Sequence, residues 1–110
     1  MERETIGANV GANGYTTIAQ ADLLAERLSL NSRDMLLDIG SGRGWPALYL
    51  AARTGCRAVL TDPAAPALQT AARTAEADGL ANRVSVIRAS ATHLPFAART
   101  FDAITHTDTL

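Results

Sequence analysis

Residues 35–44 of the chain read MLLDIGSGRG, an apolar run followed by glycines at alternate positions. Residues 35–39 are mostly apolar, which is typical of a strand buried on both faces of a parallel sheet. Gly40 allows a tight turn, and Gly42 lacks the Cβ that would keep a ligand away from the backbone. Because Trp45-Pro46 can open a helix, the stretch predicts a strand–turn–helix unit.

The same alternation of strands and helices continues along the chain. Strands that alternate with helices of ten or more residues predict βαβ units with right-handed crossovers and a parallel sheet. We therefore expect an α/β fold, a Rossmann-like parallel sheet of about four strands with flanking helices. The expected strands are 35–39, 57–61, 84–88 and 101–105, and the expected helices run from Thr16 or Thr17 to about Leu30, from 45 to 54 and from about 66 to 78.

Length and composition predict one domain over residues 1–110, in which residues 1–15, rich in Gly and Asn, form a flexible N-terminal segment. The 47% hydrophobic and 19% charged residues are the balance of an ordinary globular protein. The net charge of −1, without a basic stripe, argues against a nucleic-acid partner. No apolar run approaches the ~20 residues that span a bilayer, and no secretory signal is recognisable, so we expect a cytoplasmic protein without a membrane partner. Cys56 is the only cysteine, which excludes an internal disulfide and suggests a small buried side chain.

The glycine-rich turn has the chemistry of a ligand site. The following helix directs its free N–H groups at the turn, which favours a carboxylate, and Asp38 at the end of the strand can receive an ammonium group. Asp62, at the end of the second strand, can accept hydrogen bonds from two ribose hydroxyls. Two interpretations without a ligand stay open: a plain tight turn between strand and helix, and a capping or turn-forming role for Asp62 beside Pro63.

A dinucleotide site is the competing interpretation of this turn. That class of site uses the spacing G-x-G-x-x-G, which would require glycine at position 45. Position 45 is Trp45, and the third glycine, Gly44, comes one residue early. A dehydrogenase is therefore disfavoured.

Three motifs in order resemble the class I S-adenosylmethionine-dependent methyltransferases, and together they cover residues 35–105. Leu36 to Gly44 is similar to the first motif of that family, D/E-x-G-x-G-x-G. Val59-Leu60-Thr61-Asp62-Pro63 looks like the acidic motif that follows. Leu94-Pro95-Phe96 with Thr100 to Ile104 resembles the later "LPF…FD" segment.

The resemblance implies S-adenosylmethionine as cofactor, with S-adenosylhomocysteine as product. Asp38 and the glycines would hold the methionyl end, Asp62 the ribose, and the loop after the third strand the adenine. Where the family often has Gly-Asp-Ala, this chain has Ala89-Ser90-Ala91, so the Ser90 hydroxyl replaces a charged acceptor and the Ala91 N–H stays available to the adenine ring. The expected cofactor-binding residues are Asp38, Gly40, Ser41, Gly42, Gly44, Asp62, Pro63, Ser90, Ala91 and His106.

The remaining candidate residues divide between functional and structural roles. His106 stands at the carboxyl end of the fourth strand, where the ligand site is expected to open, which is called the mouth below. It either lines the methyl-transfer site or serves as a strand-end polar group. Trp45 is expected to pack beneath the helix start, with a ligand wall as the second interpretation. Tyr15 is expected to anchor a loop rather than reach over the cofactor, and His93 to be a solvated loop residue. The sequence names no catalytic residue or general base, and no His/Cys cluster has metal-ligand spacing.

Two classes of function follow. The first is an enzyme, or its cofactor-binding portion, that transfers methyl groups to an unidentified acceptor, with a small molecule favoured. The second is a non-catalytic nucleoside-binding or regulatory module that needs a partner chain. The family carries further strands after the fourth, so we expect an incomplete domain whose fourth strand is a bare edge. Such an edge predicts self-association into a dimer, or else aggregation. Because the acceptor pocket would be incomplete, we expect little turnover by the chain alone.

Overall fold

The computed structural model describes residues 17–90, 92–94 and 100–106. Strands alternate with helices, and all strand pairs of the sheet are parallel, in the order β3-β2-β1-β4. The expected α/β fold with a four-stranded parallel sheet is therefore confirmed. In chain order the elements are α1 (Ile18–Arg27), β1 (Met35–Ile39), α2 (Ala47–Thr54), β2 (Arg57–Asp62), α3 (Ala65–Ala77), β3 (Val84–Arg88) and β4 (Ala103–His106).

Strand β1 lies between β2 and β4, and its central residues Leu36, Leu37 and Asp38 are buried. Its register pairs Asp38 with Leu60 of β2 and with Thr105 of β4. Because the strands are parallel, their carboxyl ends meet at one edge of the sheet, which is called the carboxyl edge below. The opposite edge is called the amino edge. Strand β4 is an outer strand of the described sheet, and self-association through it stays a prediction.

Helix α1 begins at the Thr17 cap through two reciprocal hydrogen bonds. The Gln20 N–H donates to Thr17 Oγ1 at 3.1 Å, and the Thr17 N–H donates to Gln20 Oε1 at 2.8 Å. This capping box fixes where the helix starts. The predicted end near Leu30 is wrong: the helix ends at Arg27, because Ser29 has a φ of 52° and turns the chain out of the helix.

The fourth strand is the other clear difference from the expected boundaries. It covers Ala103–His106 rather than 101–105, because Asp102 is used to fasten the start of the strand to β1. The Asp102 N–H donates to the Met35 carbonyl at 2.9 Å, and Asp102 Oδ2 accepts the Met35 N–H at 2.8 Å. Elsewhere the boundaries differ by one or two residues. Helix α2 ends at Thr54, and Gly55, with a φ of 80°, is the left-handed cap that follows it, as expected.

One apolar core joins the sheet to the helices. It includes Leu24, Leu50 and Leu60, with Cys56 fully buried as predicted. Burial raises the pKa of the Cys56 thiol, as expected of an inert core side chain. Within the described ranges, no helix is both long and apolar enough to cross a bilayer.

Candidate functional site

The loop between β1 and α2 contains three glycines with left-handed backbone conformations. Gly40, Gly42 and Gly44 have φ values of 75°, 57° and 106°. Glycine adopts these conformations without the steric cost that a Cβ brings. The N–H groups of Gly40 and Ser41 both donate to the Thr61 carbonyl, at 2.9 and 2.8 Å, so β2 holds the start of the loop in place.

Gly42 and Gly44 have different surroundings. A Cβ on Gly44 would lie 2.6 Å from Cδ1 of Leu48 and 3.3 Å from Cβ of Ala71, so this glycine allows close packing of the loop against α2 and α3. Apart from its two chain neighbours, no described residue has an atom within 4 Å of a Cβ placed on Gly42. The backbone of Gly42 therefore borders open space at the carboxyl edge, where a ligand can approach it.

Asp62, at the end of β2, connects this loop to the start of α3. Its Oδ2 accepts the Gly42 N–H at 2.9 Å, and its Oδ1 accepts the Ala64 N–H at 2.9 Å. The second bond is the turn-forming role expected for Asp62 beside Pro63. Because a carboxylate offers about four lone-pair positions, about two stay available to ribose hydroxyls.

Asp38 is fully buried at the carboxyl edge. Its Oδ1 accepts the Thr105 hydroxyl at 2.6 Å, whereas none of the described residues donates to Oδ2. The hydroxyls of Ser41 and Thr61 donate to its main-chain carbonyl, at 2.9 and 3.2 Å. Burial raises the pKa of Asp38 to about 6, the Thr105 and Ser41 hydroxyls act in the opposite direction, and the nearby Asp62 carboxylate adds to the rise.

The unpartnered oxygen of Asp38 is the observation that tests whether the site fits a cofactor with an ammonium group. A buried carboxylate oxygen without a donor is energetically costly, and such groups are rare in folded proteins. A cationic donor, directly or through a water molecule, would satisfy it. The open space at Gly42 and the acceptors of Asp62 lie at the same edge, so the residues present fit a nucleoside with an amino-acid end.

The other predicted site residues lie at this edge or close to it. His106 ends β4 opposite Ile39, and Pro63 directly follows β2. Ser90 comes after β3, and its Oγ lies 3.1 Å from Oγ1 of Thr92. Ala91 lies outside the described residues. The topology therefore brings the ends of β1, β2 and β4 together and leaves Ser90 on the far side of β2.

Trp45 is only partly buried: it is 42% exposed, so packing at the helix start and a ligand wall both stay open as interpretations. Its ring centroid lies 5.3 Å from that of Tyr49, with 46° between the ring planes. The predicted role of Tyr15 lies outside the described residues, and His93 is exposed in a loop, as expected.

Two features of the structure were not predicted from the sequence. Thr105 was not singled out, because its contact with Asp38 depends on which residues of β1 and β4 face each other. The second feature joins α1 to α2: the Tyr49 hydroxyl donates to Oδ1 of Asp22 at 2.6 Å, and Arg53 Nε lies 3.4 Å from the same oxygen. The hydrogen bond to Asp22 raises the pKa of Tyr49. The helical spacing of Tyr49 and Arg53 on α2 is the only signal that could have paired them.

Comparison with known proteins relates this site to a family. The model of a methyltransferase domain matches residues 36–110. The methyltransferase GfsG of Streptomyces halstedii is 38% identical over 81 residues, which cover 74% of this chain and 29% of that protein. The chain therefore spans under a third of the length of this curated relative.

Solved structures agree on the fold. Geranyl diphosphate C-methyltransferase from Streptomyces coelicolor A3(2), in complex with Mg²⁺, geranyl diphosphate and S-adenosylhomocysteine, superimposes with a TM-score of 0.73 at 25% identity, over 80% of this chain and 34% of that one. The [4+2]-cyclase SpnF has a TM-score of 0.72 at 29% identity, over 93% of this chain and 39% of that one. The family model, the curated relative and the fold agree with the motifs at Asp38 and Asp62. The chain belongs to the class I S-adenosylmethionine-dependent methyltransferase domain family.

Proposed function

We propose that this chain binds S-adenosylmethionine at the carboxyl edge of its sheet and serves methyl transfer to a small-molecule acceptor. The observation that carries the proposal is Oδ2 of Asp38, buried without a donor among the described residues beside the open space at Gly42. The S. coelicolor neighbour, which was crystallised with S-adenosylhomocysteine, supports the same ligand class.

Each part of the cofactor has a candidate partner in the chain. Asp38 would receive the ammonium group, and the loop of Gly40, Ser41, Gly42 and Gly44 would hold the methionyl end. Asp62 with Pro63 would bind the ribose, Ser90 and Ala91 the adenine, and His106 would line the mouth.

Bound S-adenosylmethionine supplies a methyl group on a positively charged sulfur, which leaves as a neutral thioether. The contribution of the residues above is then to hold the cofactor in one orientation at the mouth, where an acceptor can be aligned with it. A fixed alignment of this kind lowers the barrier without a dedicated acid or base. A base is required only for an acceptor that loses a proton during attack.

The proposed acceptor is a small molecule. The net charge of −1 provides no basic surface for a phosphate backbone, which disfavours a nucleic-acid acceptor. The neighbour that was crystallised with geranyl diphosphate is an example of this fold with a small ligand besides the cofactor.

A second candidate is a nucleoside-binding module that transfers no methyl group. The neighbour SpnF favours this alternative, because its described activity is a [4+2] cyclisation although it shares the fold. The two candidates differ in whether labelled methyl groups leave the cofactor. Long incubation of the chain with methyl-labelled S-adenosylmethionine and pools of small molecules, peptides or RNA would show label in the small-molecule pool under the first candidate, at the low rate expected of the chain alone, and in none under the second.

Calorimetric titration tests the binding step. S-Adenosylhomocysteine should bind at one site per chain, and NAD should bind much more weakly or not at all, because Trp45 stands where a dinucleotide loop requires glycine. Tight NAD binding without a response to S-adenosylhomocysteine would overturn the proposal.

A further inference from the structure

We propose that Thr105 is a positioning residue that holds the Asp38 carboxylate with one oxygen left for the ammonium group of the cofactor. This inference rests on the proposed function. It assigns a role to a residue outside the glycine loop and outside the acidic motif of β2.

The geometry of the contact between β1 and β4 carries the inference. Asp38 and Thr105 are opposite each other in the parallel register, and both are fully buried. The distance of 2.6 Å between Thr105 Oγ1 and Asp38 Oδ1 is typical of a short bond from a hydroxyl to an ionised carboxylate. A fixed Oδ1 also fixes the position of Oδ2, the oxygen without a donor among the described residues.

The main chain of Asp38 is fixed separately. The hydroxyls of Ser41, in the loop, and Thr61, on β2, both donate to its carbonyl oxygen. These bonds fix the backbone of Asp38, whereas the bond from Thr105 fixes the rotation of its side chain. Loss of the Thr105 hydroxyl would therefore release the carboxylate without releasing the strand.

The electrostatic surroundings of Asp38 provide a measurable signature. Of the groups that act on it, Thr105 comes from β4, Ser41 from the loop and Asp62 from β2, and Asp62 is the charged one. His106 follows Thr105 on β4 and, by strand alternation, is directed to the other face of the sheet. Burial raises the pKa of Asp38 to about 6, and the Thr105 hydroxyl lowers it by donating to the ionised form. Without that hydroxyl the pKa rises further, so less carboxylate is available for an ammonium group in mildly acidic solution.

The experiment compares two ligands and three forms of the chain. S-Adenosylhomocysteine carries the ammonium group, and 5′-methylthioadenosine has the same nucleoside without the amino-acid end. Each is titrated by calorimetry into the wild type, Thr105→Val and Thr105→Ser, at about pH 5.5 and about pH 8, below and above the pKa of Asp38.

We expect Thr105→Val to bind S-adenosylhomocysteine roughly tenfold more weakly than the wild type at the lower pH, the scale of one hydrogen bond to a charged group. At the higher pH, where Asp38 is ionised in both proteins, the difference should become smaller, and the part that remains is the loss caused by the free rotation of the carboxylate. Methylthioadenosine should bind all forms alike at both pH values, and Thr105→Ser should behave as the wild type. A purely structural role would weaken both ligands together and leave the pH dependence unchanged.

The failures can be told apart. If the wild type does not bind S-adenosylhomocysteine, the proposed function and this inference both fall. If it binds and Thr105→Val keeps the wild-type pH dependence, only the role of Thr105 is refuted. Should Thr105→Val not fold, Thr105→Ala replaces it as the variant without a hydroxyl.

The wild type adds a test without any variant. Calorimetry near pH 6 in two buffers of different ionisation enthalpy should detect proton release on binding, and the absence of that release would count against the inference.

Discussion

The amino and carboxyl edges of the sheet both carry aspartates, but the surroundings of these carboxylates differ. At the amino edge, Asp34 Oδ2 accepts the Asn31 N–H at 2.9 Å and Asp102 Oδ2 accepts the Met35 N–H at 2.8 Å. These bonds fasten loops to the ends of strands. At the carboxyl edge, Asp38 is buried more completely and yet keeps one oxygen without a donor among the described residues.

The two kinds of aspartate indicate that the fold separates stability from binding. A carboxylate that is satisfied by backbone N–H groups stabilises the folded state. A buried carboxylate with a missing donor does the opposite, and such sites persist where a ligand completes them. Substitution of an aspartate at the amino edge should therefore lower the stability and leave cofactor affinity unchanged, whereas substitution of Asp38 should lower cofactor affinity without lowering the stability.

The largest effect is expected from a glycine exchange at each edge. Gly42 at the carboxyl edge and Gly79 at the amino edge have φ values of 57° and 75°, and among the described residues, chain neighbours aside, a Cβ on either would meet no atom within 4 Å. Gly42→Val and Gly79→Val should both lose roughly 1–2 kcal/mol of stability, the cost of a left-handed conformation for a residue with a Cβ. Calorimetry should detect no S-adenosylhomocysteine binding by Gly42→Val and normal binding by Gly79→Val.

Gly44 provides a third glycine, with crowded surroundings, beside Gly42 and Gly79. Gly44→Ala places a Cβ 2.6 Å from Cδ1 of Leu48, so thermal unfolding should reveal a larger loss of stability than in either valine variant. Binding by Gly42→Val at wild-type affinity would mean that the ligand site lies elsewhere.

The next effect concerns Asp38→Asn, which should lose affinity for S-adenosylhomocysteine by roughly a hundredfold and yet stabilise the free chain at pH 7. The folded-state pKa of about 6 lies above the ordinary aspartate value of 3.8, so between these values the folded state binds more protons than the unfolded state. Stability is therefore lost as pH rises through this window, by up to roughly 3 kcal/mol above pH 6. Asparagine does not ionise, and urea unfolding at pH 7 should show a gain of roughly 1–3 kcal/mol.

Asp102→Ala is the control from the amino edge. It removes the acceptor of the Met35 N–H, so it should lose about 1 kcal/mol of stability without a change in S-adenosylhomocysteine affinity. If Asp38→Asn is less stable than the wild type, the Asp38 carboxylate stabilises the fold as that of Asp102 does. This outcome would contradict the distinction between the edges.

The order of the elements could be predicted from the sequence, because each signal is local. The apolar run at residues 35–39, Gly55 as a helix stop and Thr17 as a cap all act within a few neighbours. The errors have the opposite origin. Asp102 shifts the start of β4 through a contact with Met35, which lies 67 residues away in the chain.

The features of the candidate site likewise divide into those that local motifs predict and those that depend on contacts between distant residues. Asp38 and Asp62 follow from their motifs, and the structure locates both at the carboxyl edge. The Thr105 contact and the bond from the Gly42 N–H to Asp62 depend on strand register, which no local pattern specifies.

A smaller effect is expected at Asp62. Asp62→Ala removes the acceptors for the ribose and also releases the Gly42 N–H, so affinity for S-adenosylhomocysteine should fall by roughly 1.5–3 kcal/mol. Asp34→Ala, which releases the Asn31 N–H at the amino edge, should lower the melting temperature and leave affinity unchanged. Equal affinities of the wild type and Asp62→Ala would exclude the ribose contact.

The smallest effect concerns Ser90, where the family often has an aspartate. The Ser90 hydroxyl lies 3.1 Å from that of Thr92, and it offers the adenine amino group a neutral acceptor. Ser90→Asp would supply a charged one, so affinity for S-adenosylhomocysteine should rise by about threefold to tenfold, the lower part of the range for hydrogen bonds to charged groups. Ser90→Asn, which has the shape of the aspartate without its charge, should gain little.

S-Inosylhomocysteine separates adenine recognition from a general effect of charge, since it carries a carbonyl oxygen in place of the amino group. Ser90→Asp should bind this analogue no better than the wild type does, because two acceptors then face each other. An equal gain for both ligands would mean that position 90 lies away from the adenine and that Asp acts through the field of the whole carboxyl edge.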